Sequence, residues 1–173
     1  MIELTLEDFE YFAKKQALLD NAIMYQKDIT DYEWTEVLDN NHTIALKIEI
    51  AEFVNECSNI WKYWKDKEPN RERILDEAID VLHFVFLKLN KSNNFIKDHY
   101  LDYFRRKTVI KTVFKGVENK SVCLSDLLRH KDELSILANV MYILSEYGFT
   151  RDDVINQYNK KNAINFERLE NGY

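Results

Sequence analysis

Two short acidic motifs lie in the most apolar part of this chain. Glu49 and Glu52 interrupt one apolar stretch, and Glu77 and Asp80 interrupt a second stretch further along the chain. Burying a carboxylate is costly unless the group is paired or binds a cation. A spacing of i and i+3 places both acids of each motif on one face of a helix, about one turn apart. Four carboxylates on two facing helices would form an all-oxygen site for a hard divalent cation.

The elements that must position these acids are predicted to be two antiparallel helices. On a helical wheel of about 100° per residue, the first motif and Glu56 lie within roughly 60° of one another, opposite Lys47 and Lys62. We therefore expect the acids to face inward, with Glu56 either a further ligand or a polar residue at the helix end. The second helix, over 74–89, is apolar nearly all round and should be central. Pro69, the only proline, predicts the turn between the two helices.

The composition favours an all-α helical bundle. Three glycines and one proline in 173 residues supply little of the turn chemistry that a many-stranded sheet needs. The length is typical of a single domain, 1–173, in which the segment 91–124 is a candidate insert or lid. This middle part is expected to be less regular, and β-branched residues over 108–114 suggest a short strand or irregular segment.

Capping signals predict the remaining helices. Thr5 begins a capping-box pattern, and its helix is expected to run to about Tyr25. The segment 28–42 is predicted to be a loop or a short helix. Helices are expected to resume from 121 or 125 and to continue to 147, ended by Gly148, and Thr150 begins a last helix toward Leu169.

The last helix carries a basic and amide stripe. Lys161, Asn165 and Arg168 lie within about 60° of one another on a wheel, with Asn162 nearby. Such a stripe suits phosphate oxygens, although a solvated helix face would be the preferred interpretation without the acidic motifs.

Together with these features, two further segments resemble the dimeric all-α dUTPases, which belong to the all-α NTP pyrophosphohydrolase superfamily with the MazG-like enzymes. Paired acidic motifs alone indicate only the superfamily. The segment 61–65 and the C-terminal motif narrow the resemblance to the dUTPase branch, and it covers the N-terminal half and the C-terminal helix but not 90–128. The motifs are Glu49-x-x-Glu52, Trp61-Lys62-Tyr63-Trp64-Lys65, Glu77-x-x-Asp80-Val81-Leu82-His83-Phe84 and Lys161-Asn162-x-x-Asn165-x-x-Arg168-x-x-x-Gly172-Tyr173.

The resemblance implies Mg²⁺-dependent hydrolysis of dUTP, and in this branch often of dUDP, with dUMP and pyrophosphate as the products from dUTP. It also implies a homodimer. The implied metal ligands are Glu49, Glu52, Glu77 and Asp80. Glu49 is the candidate that orients or deprotonates the attacking water.

The resemblance also implies the substrate contacts. Gln16 and Asp20 resemble the positions that contact the uracil edge, the second of which is Asn in many relatives. Phe84 would lie against the deoxyribose, and Trp61, which by its pattern alone would be a packing residue, becomes a candidate base contact. The implied polar contacts to the phosphates are Lys161 and Arg168, Lys62 or Lys65, Asn162 and Asn165.

Two alternatives remain from the sequence. A related pyrophosphohydrolase could act on dCTP or a noncanonical NTP, and a helical interaction or regulatory protein could use the acids only for a structural ion. The net charge of −6 opposes binding to nucleic acid, so the basic residues of 91–124 are interpreted as a lid, dimer contact or protein-partner surface. Two unpatterned cysteines and no apolar run of membrane-spanning length predict a soluble protein in a reducing intracellular compartment. The resemblance to the dUTPase branch implies that this compartment is the cytosol of a bacterium or phage-infected host.

Overall fold

The computed structural model of the chain describes residues 1–66, 68–92, 94–118, 120–129 and 132–172, so Tyr173 of the C-terminal motif lies outside the described residues. Within these ranges the secondary structure is helical and contains no strand, which confirms the all-α prediction. The elements in chain order are α1 (Leu6–Lys27), a π-helical segment (Glu33–Val37), α2 (Asp39–Glu56), α3 (Ser58–Trp61), α4 (Arg71–Lys91), α5 (Ile96–Val113), α6 (Ser121–Arg129), α7 (Glu133–Glu146) and α8 (Arg151–Glu170).

The predicted helix starts at the two threonines are confirmed. Thr5 and Thr150 each form a reciprocal capping box with the aspartate three residues later. Gly148 has a φ of 77°, the left-handed conformation that suits the residue after a helix end. Helices resume before Gly148 as expected, and Asp132 accepts a hydrogen bond from the Ser135 backbone and begins α7 as a helix separate from α6.

Two other local predictions need correction. The segment 108–114 is helical through Val113, since the hydroxyls of Thr108 and Thr112 donate to carbonyls four residues back and so fit within the helix. For the segment 28–42 the structure has a short helix, the π-helical Glu33–Val37, and the correction is that α2 already begins at Asp39. The preceding π-helical segment buries Trp34, whose ring contacts the His42 ring with centroids 4.6 Å apart.

Helix α4 is the centre of the bundle and packs against α1, α2, α7 and α8. Its buried side chains include seven with no exposed surface: Ile74, Ala78, Ile79, Val81, Leu82, Val85 and Phe86. Burial of this apolar surface is the main stabilising term for such a helix. The described residues contain no helix long and apolar enough to cross a membrane.

Ion pairs at both ends show that α2 and α4 are antiparallel, as the turn at 65–70 predicts. Lys88, near the end of α4, pairs with Asp39 at the start of α2 at 3.3 Å. Arg73, at the start of α4, pairs with Glu56 at the end of α2 at 3.1 Å. The two acidic motifs are consequently brought opposite each other in the middle of the pair.

Candidate active site

Three acids from the two motifs form one carboxylate cluster. Glu49 and Glu52 of α2 and Glu77 of α4 each offer an oxygen within 4.8 Å of the others. The side chains are not equally buried, because Glu52 is exposed whereas Glu49 and Glu77 are half-buried. The expectation that the acids face inward is therefore wrong for Glu52, and the cluster opens onto solvent rather than into the core.

The electrostatics of the cluster favour a cation. Burial raises the pKa of Glu49 to about 7, and the neighbouring carboxylates Asp80, Glu52 and Glu77 add to that rise. Burial and the same mutual repulsion raise the pKa of Glu77. Closely spaced carboxylates repel one another when ionised, and a positive charge between them relieves this repulsion. Such a cluster therefore favours the binding of a hard divalent cation. The donor set is thus suited to a hard divalent cation by its chemistry and its spacing.

Asp80, the fourth acid, is held by a lysine from α8. The Lys161 ammonium lies 2.6 Å from Asp80 and 2.9 Å from Asp76, and the lysine is only 9% exposed. Burial alone would lower the pKa of Lys161, but its hydrogen bonds to the two aspartates raise it. Gln157 of α8 also donates to Asp76, at 2.7 Å. Lys161 therefore compensates the charge of the acidic cluster in this structure.

The sequence interpretation missed Asp76. Its signal was available, since Asp76 and Asp80 are four residues apart on α4, as Gln157 and Lys161 are on α8. Two such pairs on facing helices can contact each other residue by residue, Gln157 with Asp76 and Lys161 with Asp80.

A cleft of about 410 Å³ lies beside the carboxylates, between α1, α2, α4 and α8. Two metal-ligand candidates, Glu49 and Asp80, are part of its wall. The predicted substrate contacts that line it are Gln16, Asp20, Phe84, Asn165 and Arg168. Apolar side chains of α1, α4 and α8 complete the wall, among them Leu19, Leu87 and Leu169. The cleft thus combines a carboxylate end, an amide and guanidinium contribution from α8, and an apolar lining.

A buried hydrogen-bond network forms one side of the cleft. The Gln16 Oε1 lies 2.7 Å from His83 Nδ1 and accepts from the Tyr158 hydroxyl at 3.2 Å, while Gln16 Nε2 donates to Asp20 Oδ1 at 2.7 Å. Since Oε1 can only accept, His83 carries its proton on Nδ1. Its imidazole stacks on the Tyr158 ring with centroids 4.3 Å apart.

Burial lowers the pKa of His83 to about 3, so this imidazole is neutral. Its Nε2 is buried without a hydrogen-bond partner among the described residues. Tyr158 was not identified from the sequence, although it lies three residues before Lys161 on α8.

Several predicted contacts lie elsewhere. Trp61 donates to the Val54 carbonyl at 2.9 Å, and the Lys62 ammonium donates to Asn55 at 2.6 Å and lies 4.7 Å from the Trp61 ring centroid. Trp61, Lys62 and the exposed Lys65 are not part of the cleft wall. Their pairing with the end of α2 favours the packing interpretation for Trp61.

Asn162 and Glu56 are also clarified. Asn162 is 4% exposed, and its Nδ2 lacks a hydrogen-bond partner in the described part of the chain. Glu56 pairs with Arg73 and does not belong to the carboxylate cluster, which supports the polar helix-end interpretation.

An all-α bundle with a carboxylate cluster beside a cleft is the arrangement expected of a helical nucleotide pyrophosphohydrolase. A family model described as dUTPase matches residues 8–173, and the chain therefore belongs to the dUTPase family. It is a dUTP diphosphatase by this membership. Neither a curated protein sequence nor a solved structure matches the chain.

Proposed function

We propose that this dUTP diphosphatase hydrolyses dUTP, and also dUDP, in the cleft with Mg²⁺ held by its four motif acids. The observation that carries the proposal is the cluster of Glu49, Glu52 and Glu77 at the edge of the cleft. Asp80 completes the ligand set from the cleft wall, next to Lys161. The products from dUTP would be dUMP and pyrophosphate.

The ion would neutralise charge on the phosphate oxygens and favour ionisation of an attacking water. Glu49 then has the role of general base. A bound cation would offset the burial and the carboxylate repulsion that raise the pKa of its carboxyl, so Glu49 would be ionised and able to accept a proton at neutral pH. Asn165 and Arg168 would hold phosphate oxygens from α8, and Lys161 would keep Asp80 ionised and in place.

The nucleoside would occupy the part of the cleft lined by α1 and α4. Phe84 is half-buried in its wall, where an apolar ring disfavours a ribose 2′-hydroxyl that finds no hydrogen bond. Gln16 and Asp20 offer polar atoms to the base edge. The remaining proposed contacts lie outside the cleft wall, so only a part of the nucleotide that extends out of the cleft would contact them. They are Trp61, Lys62, Lys65 and Asn162.

Mg²⁺-dependent release of pyrophosphate from a set of deoxynucleotides and ribonucleotides tests this function. We expect turnover of dUTP that is lost in Glu52→Gln and Asp80→Asn, with helical circular dichroism unchanged. Glu56→Gln is the matched control, because Glu56 lies on the same helix but pairs with Arg73. Wild-type activity in both cluster variants would refute the site, and preferential cleavage of dCTP would refute the uracil assignment.

We further propose a homodimer in the cytosol of a bacterium or phage-infected host. Exposed apolar side chains on α2, Ile44 and Ile48, lie close to the acidic motif and support a contact between copies. The buried free cysteines Cys57 and Cys123 are compatible with a reducing compartment. Sedimentation equilibrium of the wild type and Ile48→Lys would test the dimer.

The chain would form one domain, 1–173, in which 91–124 acts as an insert. A second cavity, of about 480 Å³, involves this insert and is lined by Arg105, Arg106 and Asp126. Its lining of charged side chains of both signs and apolar side chains supports the proposal of a lid or a protein-partner surface. Deletion of 94–118 with retained dUTP turnover would favour the partner surface over the lid.

A further inference from the structure

The side chain of Asp20 is unusual for a carboxylate that lines a ligand cleft. It is 5% exposed, and its Oδ1 accepts from Gln16 Nε2 at 2.7 Å. No second hydrogen bond to Asp20 is recorded from the described residues, so Oδ2 is left for a ligand. The positive charge of Lys91 lowers the pKa of Asp20, but the Lys91 ammonium forms its ion pair with Asp39, at 2.6 Å. A nearly buried carboxylate without a cationic partner is costly when ionised.

The direction of the hydrogen bonds around Gln16 determines which oxygen of Asp20 can carry a proton. In the structure, Gln16 Oε1 faces His83 Nδ1 and the Tyr158 hydroxyl, and Gln16 Nε2 points to Asp20. Asp20 Oδ1 must then accept, as a carbonyl oxygen does. When Asp20 is protonated, its proton therefore lies on Oδ2.

We propose that Asp20 binds the base as a neutral carboxylic acid and selects uracil by donating from Oδ2 to the uracil O4 carbonyl. The inference rests on the proposed placement of the nucleoside in this cleft. Cytosine carries an amino group at the same position, which would oppose the Oδ2 hydroxyl with another donor. An ionised Asp20 would reverse this preference, because a carboxylate accepts from an amino group and repels a carbonyl oxygen.

Burial raises the pKa of Asp20 to about 7, although the Gln16 hydrogen bond and Lys91 oppose that rise. Donation to a substrate carbonyl would raise it further. Affinity for dUTP should accordingly be constant below the pKa of the free enzyme and fall as the pH increases through it. The titratable or charged groups around Asp20 and its two adjoining cavities are Lys27 and Asp31, His83 and Lys91 of α4, Tyr158 and Arg168 of α8, and Glu49 and Asp80.

Because Glu49 also titrates near neutral pH, the wild-type profile alone does not isolate Asp20. Asp20→Asn is the matched variant, since its amide carbonyl can accept from Gln16 while its NH₂ donates at every pH. The probes are the α,β-imido analogues of dUTP and dCTP with Mg²⁺, measured by isothermal titration calorimetry from about pH 5.5 to about pH 8.5. The ratio of wild-type to variant Kd at each pH cancels the contributions of Glu49 and the phosphates.

For the dUTP analogue, this ratio should rise about 30-fold across the range, because about 3% of Asp20 stays protonated at the alkaline end. The wild-type preference for the uracil analogue over the cytosine analogue should narrow over the same range, and that of Asp20→Asn should not. A pH-independent ratio with intact dUTP binding would overturn the inference alone. Failure of the dUTP analogue to bind at any pH would overturn the proposed site as well.

A carbon-13 NMR titration of the wild-type Asp20 carboxyl gives a test that does not need the variant to bind. We expect its pKa near neutral pH in the free protein and a rise when deoxyuridine is added. An Asp20 carboxyl that stays ionised down to its ordinary pKa, or that is unaffected by deoxyuridine, would contradict the proposal.

Discussion

Replacing Glu49 by Gln should stabilise the metal-free protein while abolishing its turnover. Burial and the charges of Asp80, Glu52 and Glu77 raise the pKa of Glu49 from 4.5 to about 7. An acid whose pKa is higher in the folded state binds its proton more tightly there than in the unfolded state. The free energy of unfolding therefore decreases as the pH rises from about 4.5 to about 7, and the loss is complete above that range.

The size of this effect follows from the two pKa values. Taken in full, the difference corresponds to roughly 3 kcal/mol. Glu49 is only half-buried, so solvent screening reduces the expected destabilisation to about 1 to 2 kcal/mol. Gln has nearly the same size and removes the charge. Glu49→Gln should consequently raise the melting temperature in EDTA at about pH 8 by roughly 3 to 6 °C.

Thermal melts in EDTA, each with a Mg²⁺-containing counterpart, provide the assay. The gain in Glu49→Gln should disappear near pH 4, where the wild-type Glu49 is protonated in the folded protein and largely so in the unfolded protein. Mg²⁺ should stabilise the wild type more than the variant, because the variant lacks one ligand charge. Glu56→Gln should show none of this behaviour, since Glu56 pairs with Arg73 outside the cluster. A Glu49→Gln protein that is less stable than the wild type in EDTA at pH 8, or that retains turnover, would refute the reasoning.

Three further perturbations probe the sugar, the phosphates and the fold. Phe84→Ala should narrow the dUTP/UTP ratio of kcat/KM by about five- to a hundredfold, because a ribose 2′-hydroxyl that finds no hydrogen bond against the Phe84 ring costs roughly 1 to 3 kcal/mol. An unchanged ratio in a variant that is folded by circular dichroism would show that the ring is an ordinary packing residue. Arg168→Ala should weaken calorimetric binding of a nonhydrolysable dUTP analogue by about 1.5 to 3 kcal/mol and leave deoxyuridine binding unchanged, whereas equal losses for both would argue against a phosphate contact. Arg151→Leu should cost about 2 to 3 kcal/mol in urea denaturation at neutral pH, because it leaves the buried Asp8 carboxylate without the guanidinium that contacts both of its oxygens. Burial alone would raise the pKa of Asp8, but hydrogen bonds from Arg151 and Thr5 lower it. The wild type should therefore be more stable than Arg151→Leu above the ordinary pKa of an aspartate, and this difference in stability should shrink as the pH falls through the lowered pKa of Asp8. A difference in the free energy of unfolding that persists in acid would contradict this assignment.

The sequence predicted the local geometry of the acids better than their environment. A spacing of three residues places Glu49 and Glu52 on one helical face whatever the rest of the chain does, and their closeness in the structure follows from that rule. Exposure depends on how neighbouring helices pack, which a wheel does not contain. Glu52 is exposed although Glu49, on the same helical face, is half-buried and lines the cleft.

Other differences arise where local signals compete with periodicity. Apolar residues continue through 121–147 at helical spacing, yet Asp132 and Ser135 form a cap that begins a new helix. β-Branched residues at 108–114 favoured a strand, but Thr108 and Thr112 satisfy their hydroxyls within α5. In both places a side-chain to backbone hydrogen bond decides the outcome.

The polar stripe of α8 has two separate roles that its spacing alone does not distinguish. Lys161 is buried against Asp76 and Asp80, whereas Arg168, two turns later, is exposed at the cleft wall. Counted formally, the carboxylates of Glu49, Glu52, Glu77, Asp80 and Asp76 exceed the positive charges of Lys161 and Arg168, so this end of the cleft is negative. A polyphosphate would be repelled there unless further positive charge accompanied it. We therefore expect the proposed divalent cation to be needed for substrate to approach as well as for the hydrolytic step, since Arg168 alone is insufficient to replace it.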